Sequence, residues 1–414
     1  MIAAAARPIR DYCLGIFDGP HATPTEADEG PYFLGIKNIS DDGRLDFTDP
    51  RYVSETEFPK WTRRVQPTAG DVVFTYEATL HRYALIREGF RGCLGRRVAL
   101  VRPDPRQVDS RFLLYYFLSQ RWRCVVESNV ISGATVDRIP LERFPQFPVA
   151  LPPLGEQQAI ADVLSAYDDL IDNNRRRIQL LEDSVRLLFE EWFVQLRFPG
   201  HGQAAMTAGW PDDWPRATLQ QVCVPGSGIQ TGPFGSQLHQ ADYADEGVPV
   251  VMPKDLAKMR VSLVTIARIP ELLADKLGRH RMQRGDIVYG RRGDIGRRAY
   301  IGDRQQGYFC GTGCLRLRPD PAEIHPRFLF EILGSPEVAG EIANRAKGST
   351  MANLSAGALQ SVTVPVPPRA LQDRFAPFAE NAGEMIDTLE AQCRQLQAAR
   401  DLLLPRLMSG ELSV

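Results

Sequence analysis

The chain repeats itself at a fixed distance, and that repeat limits its fold more than any other property of the sequence. Gly70-Asp71-Val72-Val73 returns as Gly285-Asp286-Ile287-Val288, 215 positions on. Gly133-Ala134-Thr135 returns as Gly348-Ser349-Thr350, and Leu151-Pro152-Pro153 as Val366-Pro367-Pro368, at the same offset. Arg102-Pro103-Asp104-Pro105 and Arg111-Phe112-Leu113 recur as Arg318-Pro319-Asp320-Pro321 and Arg327-Phe328-Leu329, at 216. Five anchors held in step are not a coincidence of common dipeptides. The period is far longer than the roughly 20–50 residues of a solenoid repeat. The repeated unit is therefore a domain with an attached helix, written twice in 414 residues.

Residues 1–150 and 216–366 are rich in Gly, Pro, β-branched and aromatic residues with turn signals between them. Runs such as Pro31-Tyr32-Phe33-Leu34-Gly35-Ile36 and Gly285-Asp286-Ile287-Val288-Tyr289 predict short strands. Short helices are predicted at Ser110–Gln120 and Pro326–Gly334, each opened by a polar residue or proline. Both segments are expected to be mixed α/β domains.

Residues 151–198 and 367–414 predict long helices. From Glu156 to about Gln195 there is neither Gly nor Pro. One apolar seam runs Leu164, Ile171, Ile178, Val185, Trp192; a second runs Tyr167, Asn174, Leu181, Leu188, Gln195. This heptad spacing is the signature of a coiled coil. Shifted by 215, the first seam becomes Ala379, Ile386, Cys393, Arg400, Leu407, and the second Ala382, Leu389, Leu396, Leu403. Leu164, Ile171, Asn174, Ile178, Leu181, Val185, Leu188, Ile386, Leu389, Leu396 and Leu403 are thus the expected helix-pairing residues. Asn174 fits a register-fixing role, since a buried amide penalises slipped pairings. Pro377 and Arg400 predict weaker pairing in the second helix, which is expected to stop at Leu404-Pro405 and Ser409-Gly410. Residues 199–215 read as a linker.

The composition excludes several functions. Lys+Arg is 49 and Asp+Glu 51, a net charge of −2, so a polybasic nucleic-acid coat is ruled out and DNA contacts must come from local patches. No run approaches the roughly 20 apolar residues of a membrane span. With no export signal recognised, the seven scattered cysteines are expected to be reduced cytoplasmic thiols. No phosphate-binding Gly-x-x-x-x-Gly-Lys-Ser/Thr loop occurs. The Asp/Asn-Pro-Pro-aromatic motif of base methylation is missing too. The histidines form no metal pair, and Cys310 and Cys314 lack the second pair a zinc site needs. No metal and no catalytic residue is expected. Arg292-Gly293-Asp294 is read as part of a basic loop, not as an adhesion tripeptide.

That loop stands out in a neutral chain. Between Arg279 and Arg304 lie eight arginines, with Arg281, Arg284, Arg291, Arg292, Arg297 and Arg298 between them, against Asp286, Asp294 and Asp303. Glycines 285, 290, 293 and 296 interleave. Glycine lets a backbone come close to a groove, and arginine offers a forked donor to guanine and phosphate. Arg291, Arg292, Arg297 and Arg298 are therefore candidate DNA contacts. The matching stretch of repeat one supplies Tyr76, Thr79, His81, Arg82, Arg96 and Arg97. Different residues at comparable positions predict two readers with different targets.

Three further segments carry a family resemblance. Leu151-Pro152-Pro153-Leu154-Gly155-Glu156-Gln157-Gln158-Ala159-Ile160-Ala161, with Asp168-Asp169-Leu170-Ile171 and Glu190-Glu191-Trp192-Phe193, resembles the central region of type I restriction-modification specificity subunits. Thr231-Gly232-Pro233-Phe234-Gly235-Ser236, with Asp242-Tyr243 and Gly247-Val248-Pro249-Val250, resembles the opening of their target recognition domains. Gly30-Pro31-Tyr32-Phe33-Leu34-Gly35-Ile36-Lys37-Asn38-Ile39 is similar to the same family in repeat one. Met1 aligns near Arg216, so the first repeat is expected to lack the usual lead-in.

The resemblance implies an α+β architecture, with two target recognition domains joined by two long antiparallel coiled-coil helices and an internal pseudo-two-fold repeat. It implies a non-catalytic subunit reading a bipartite site in double-stranded DNA with a fixed spacer. Two modification (methyltransferase) subunits would dock on it, and restriction/translocase subunits through them. S-adenosylmethionine, ATP and Mg would belong to those partners, none to this chain. Lys37, Asn38, Phe234, Ser236 and Lys254 complete the candidate DNA contacts. A stand-alone DNA-binding regulator is the competing reading.

Overall fold

The computed structural model describes residues 5–414 except 134–135, 204–205, 208–209, 213, 234–236, 258 and 347–352. The chain divides into two compact units, 1–173 with 392–414, and 174–391. The divisions fall inside the long helices, so each unit holds one domain and a segment of both helices.

In the first unit, a four-stranded antiparallel sheet has the order Cys13–Asp18, Val98–Pro103, Val72–Thr75, Tyr83–Leu85. Val72, Val73, Phe74 and Thr75 are all buried. Both faces of this strand are covered, which is why Val72-Val73-Phe74 is an unbroken apolar run and does not alternate. Ala27–Leu34 pairs in parallel with Gly92–Leu94, and Arg7–Pro8 pairs with Pro148–Val149.

The second unit repeats this plan. Its sheet runs Ile229–Thr231, Cys314–Leu317, Ile287–Gly290, Arg298–Tyr300. Val248–Val251 takes Phe309–Cys310 in parallel, and Arg216–Thr218 pairs with Thr363–Pro365. Arg7–Pro8 is thus the counterpart of Arg216–Thr218. Contrary to expectation, the first repeat has its lead-in strand, compressed to two residues.

The repeat extends to single hydrogen bonds. Arg102 grips the buried Asp71 with Nε and Nη2 at 2.8 and 2.7 Å; Arg318 grips Asp286 at 2.7 and 2.7 Å. Gln157 accepts from the Asp109 N–H at 3.1 Å and donates to the carbonyls of Gln107 and Pro152. Gln372 accepts from the His325 N–H at 2.8 Å and donates to the Pro367 carbonyl.

Each domain packs a helix pair on its sheet. Asp109 caps Ser110–Leu118, accepting from the N–H groups of Arg111 and Phe112, as short polar residues do at helix N-termini. Ser119 then caps a second helix, Gln120–Glu127. This second helix and its copy, Pro336–Arg345, capped by Ser335, were not expected from the sequence. Trp122 is fully enclosed, stacks on Phe117 with centroids 4.7 Å apart, and donates its indole N–H to Tyr83 at 3.0 Å.

The first long helix spans Leu154–Phe189 and ends in a π-turn, Glu190–Val194. The second spans Arg369–Ser409 without a break, running through Pro377 and Pro405 and ending at the expected Ser409-Gly410 stop. An interior proline removes one backbone bond. Pro377 and Pro405 both lie on exposed positions, where the freed carbonyl can reach water.

Within each unit the helix segments run antiparallel. In the first, Arg400 bonds Asp168 and the Cys393 thiol meets the Ile171 carbonyl. In the second, Ile178 clusters with Ile386, Leu389 and Leu181, and Trp192 faces Phe375. Ile171 and Asn174 are buried, and Leu396 is half-buried. Leu164 joins the core of the first domain with Leu407, and Leu403 packs against that cluster. Val185 joins the core of the second domain, with Leu188 packed against it. The outer seam positions therefore serve domain cores as well as the partner helix.

Paired charges fasten each domain to its helix segments. Arg44 reaches Asp168 at 3.2 Å and Asp172 at 3.0 Å, and Arg87 reaches Asp172 at 2.9 Å. Arg260 bridges Glu182 at 2.9 Å and Glu390 at 3.0 Å, one carboxylate from each long helix. The stretch 199–215 is more than a linker, because Trp214 is buried against Phe193 and Phe198.

Candidate nucleic-acid interface

In both domains the same end of the sheet carries the candidate residues. Residues 76–82 join strands Val72–Thr75 and Tyr83–Leu85; residues 291–297 join Ile287–Gly290 and Arg298–Tyr300. The two loops are built alike. The Thr75 N–H donates to the Arg82 carbonyl at 3.0 Å, and the Gly290 N–H to the Arg297 carbonyl at 2.8 Å. The Tyr76 N–H donates to Arg97 at 3.2 Å, and the Arg291 N–H to Gly313 at 2.9 Å. The Ile139 N–H closes onto Tyr76, and the Leu354 N–H onto Arg291. Identical frames thus present different side chains.

In the first frame, Lys37 and Arg96 are exposed. His81 is half-buried, with Glu127 at 3.8 Å. Burial and Arg123 hold its imidazole below the ordinary histidine range, against the pull of Glu127. Arg97 lies 2.9 Å from Glu77 and is half-exposed, as is Thr79. Three expected contacts are spent inside the fold. Asn38 is buried, its side chain accepting from the Gly35 N–H at 2.9 Å and donating to the Asp46 carbonyl at 3.0 Å. Arg82 donates to the Ile39 carbonyl at 3.1 Å. Tyr76 is buried, and burial with Asp18 and Glu77 raises its phenol.

In the second frame, Arg292 is exposed, with no side-chain partner among the described residues. Arg291 is half-buried, touches Asn353 at 3.4 Å, and has an enclosed Nε without a partner among the described residues. Burial and the adjacent Arg292 push its guanidinium below the usual range. An incoming phosphate or guanine acceptor would relieve both effects. Arg297 is exposed beside Asp294 at 2.8 Å. Lys254 is exposed and donates to the Thr265 carbonyl at 3.0 Å. Arg298 is not at the surface. It opens a buried strand, donates to the Phe330 carbonyl at 3.0 Å, and lies over the Phe330 ring. It occupies the place that Tyr83 fills in the first domain, a core position. Phe234 and Ser236 lie outside the described residues.

Nothing else in the described structure suggests chemistry. No group of His, Cys, Asp and Glu suited to a metal occurs among the described residues. Cys310 and Cys314 are buried and free, and burial pushes the Cys310 thiol up to about 12. No described helix is long and apolar enough to cross a membrane.

The chain is thus a duplicated α+β protein with two divergent, arginine-bearing tip loops. The family model for the type I restriction modification DNA specificity domain matches residues 33–183 and 211–397. The chain belongs to the family of type I restriction-modification specificity subunits, the non-catalytic components of such complexes. It is similar to the MjaVIII specificity subunit of Methanocaldococcus jannaschii, 22% identical over 79% of this chain and 76% of the relative. It is likewise similar to the EcoKI specificity subunit of Escherichia coli K12, 21% identical over 91% and 81%. The crystal structure of a type I restriction-modification S subunit from M. genitalium shares its fold, with a TM-score of 0.58 at 18% identity, covering 97% of this chain and 95% of that one.

Proposed function

We propose that this chain reads a bipartite site in double-stranded DNA, one half with each domain, and serves as a platform for catalytic partners. The observation that carries this reading is one frame built twice with different side chains at its tip. Lys37, Thr79, His81 and Arg96 face one half site; Arg291, Arg292, Arg297 and Lys254 face the other. A net charge of −2 is compatible with partners supplying much of the phosphate clamp.

The platform would be the long helices. Leu180 and Leu187 are 60% and 56% exposed, and Phe378 and Met385 44% and 46%. Each pair is spaced by one heptad, so each forms an uncovered apolar stripe suited to a protein partner. Two modification subunits would dock on the helices, and restriction/translocase subunits would join through them. S-adenosylmethionine, ATP and Mg would be held by those partners, and the complex would act in the cytoplasm. Replacing residues 216–365 with the equivalent segment of a relative should change only one half of the methylated sequence. A change in both halves would disprove modular reading.

A further inference from the structure

Three positions in the first domain adopt the left-handed backbone conformation without being glycine: Ala78 at φ 70°, His81 at 61° and Arg97 at 71°. Their counterparts in the second domain, fixed by the matched hydrogen bonds of the two frames, are Gly293 at 76°, Gly296 at 124° and Gly313 at 87°. The frame demands this conformation, and glycine supplies it without steric cost. A residue with a Cβ pays for it, and such residues gather where function holds them. Ala78 brings no polar group. His81 and Arg97 do; His81 lies in the loop between the two strands, and the Arg97 carbonyl accepts from the Tyr76 N–H. The Arg97 guanidinium lies beside Glu77 at 2.9 Å but makes no side-chain hydrogen bond among the described residues. His81 offers an imidazole that can both donate and accept.

We propose that His81 and Arg97 are specificity-determining residues of the first domain, keeping side chains where the frame favours glycine because those side chains read base edges. This rests on the DNA-reading function proposed above. The second domain reaches its half site differently, by a glycine-lined turn that carries Arg291 and Arg292 to it.

Strain relief makes the test selective. A residue holding the fold together destabilises it on removal, whereas glycine at 81 or 97 suits the frame better. Full-length His81→Gly, Arg97→Gly and Ala78→Gly chains, each assembled with the partner subunits, would select from a randomised duplex library. Melting temperatures would be read alongside. Both reader variants should melt at or above the wild-type temperature, and should lose base preference in one half site by about tenfold or more. His81→Asn, which tolerates the left-handed conformation, should alter that preference and not abolish it. Ala78→Gly should select the wild-type sequence. The proposal fails if the reader variants select the wild-type sequence. It also fails if they melt more than about 4 °C lower, or if Ala78→Gly shifts the selected sequence as they do. A wild-type chain that selects no sequence at all would instead refute the DNA-reading function.

Discussion

The Arg400 guanidinium donates to Asp168 Oδ1 at 2.6 Å, and the two side chains are only 7% and 13% exposed. The same carboxylate accepts from the Tyr115 hydroxyl at 2.6 Å and pairs with Arg44 at 3.2 Å. One acidic residue on the first long helix thus joins the second long helix and two parts of the first domain.

Removing Arg400 alone should therefore be costly. Arg400→Leu is expected to destabilise the first unit by about 3 kcal/mol, the scale for stranding a buried charge. Adding Asp168→Leu should recover much of that loss. Urea unfolding of the single and double variants checks it, and strictly additive costs would refute the coupling.

Gln157 answers three backbone groups from an almost fully buried position. Gln157→Leu leaves them unpaired and should cost about 1–3 kcal/mol per stranded group, with imperfect additivity. Gln372→Leu should act the same way in the second unit. Chemical denaturation followed by intrinsic fluorescence reads both.

Acid should loosen the second unit through His280. Burial, Arg279 and Arg316 hold its imidazole down at about 4, against about 6.5 in an unfolded chain. Between those values the unfolded chain binds the proton and the folded one does not. The contribution of His280 to stability is fully present above about pH 6.5 and drains as pH falls toward 4. His325, lowered mainly by burial, adds in the same direction. The melting temperature should fall between pH 7 and pH 5, and His280→Gln should fall less steeply. Equal slopes would remove His280 as a cause.

Arg291→Ala with Arg292→Ala should weaken DNA binding by the assembled complex with little change in stability. A good bidentate base contact is worth about 1–3 kcal/mol. Titration of the complex with its methylated target sequence measures the loss, and unchanged affinity and preference would exclude both arginines from the contact.

Domain duplication, the long helices and the tip loops were all legible, because offset repeats, heptads and clustered arginines are properties of sequence order. What was not legible depended on three-dimensional neighbours. Arg298 reads like Arg297 in sequence, yet strand alternation turns one into the core and the other outward. Asn38 sits in a matching motif but closes its own loop. Arg400 looked like a flaw in the seam because its partner, Asp168, lies on the other helix. The positions of Ala78, His81 and Arg97 became informative only once the backbone angles of the two frames could be compared.

The first unit is discontinuous, and this bears on how the nascent chain folds. Leu407 and Arg400 belong to its core, yet they are translated only after all of residues 174–391. Domains usually fold in the order in which the ribosome delivers them. Here the domain begun first must wait with its Asp168 carboxylate unanswered, while the unit encoded after it can already close. A premature stop beyond residue 391 would therefore strike at the opposite end of the sequence, leaving the late-made unit intact and the early one unfinished.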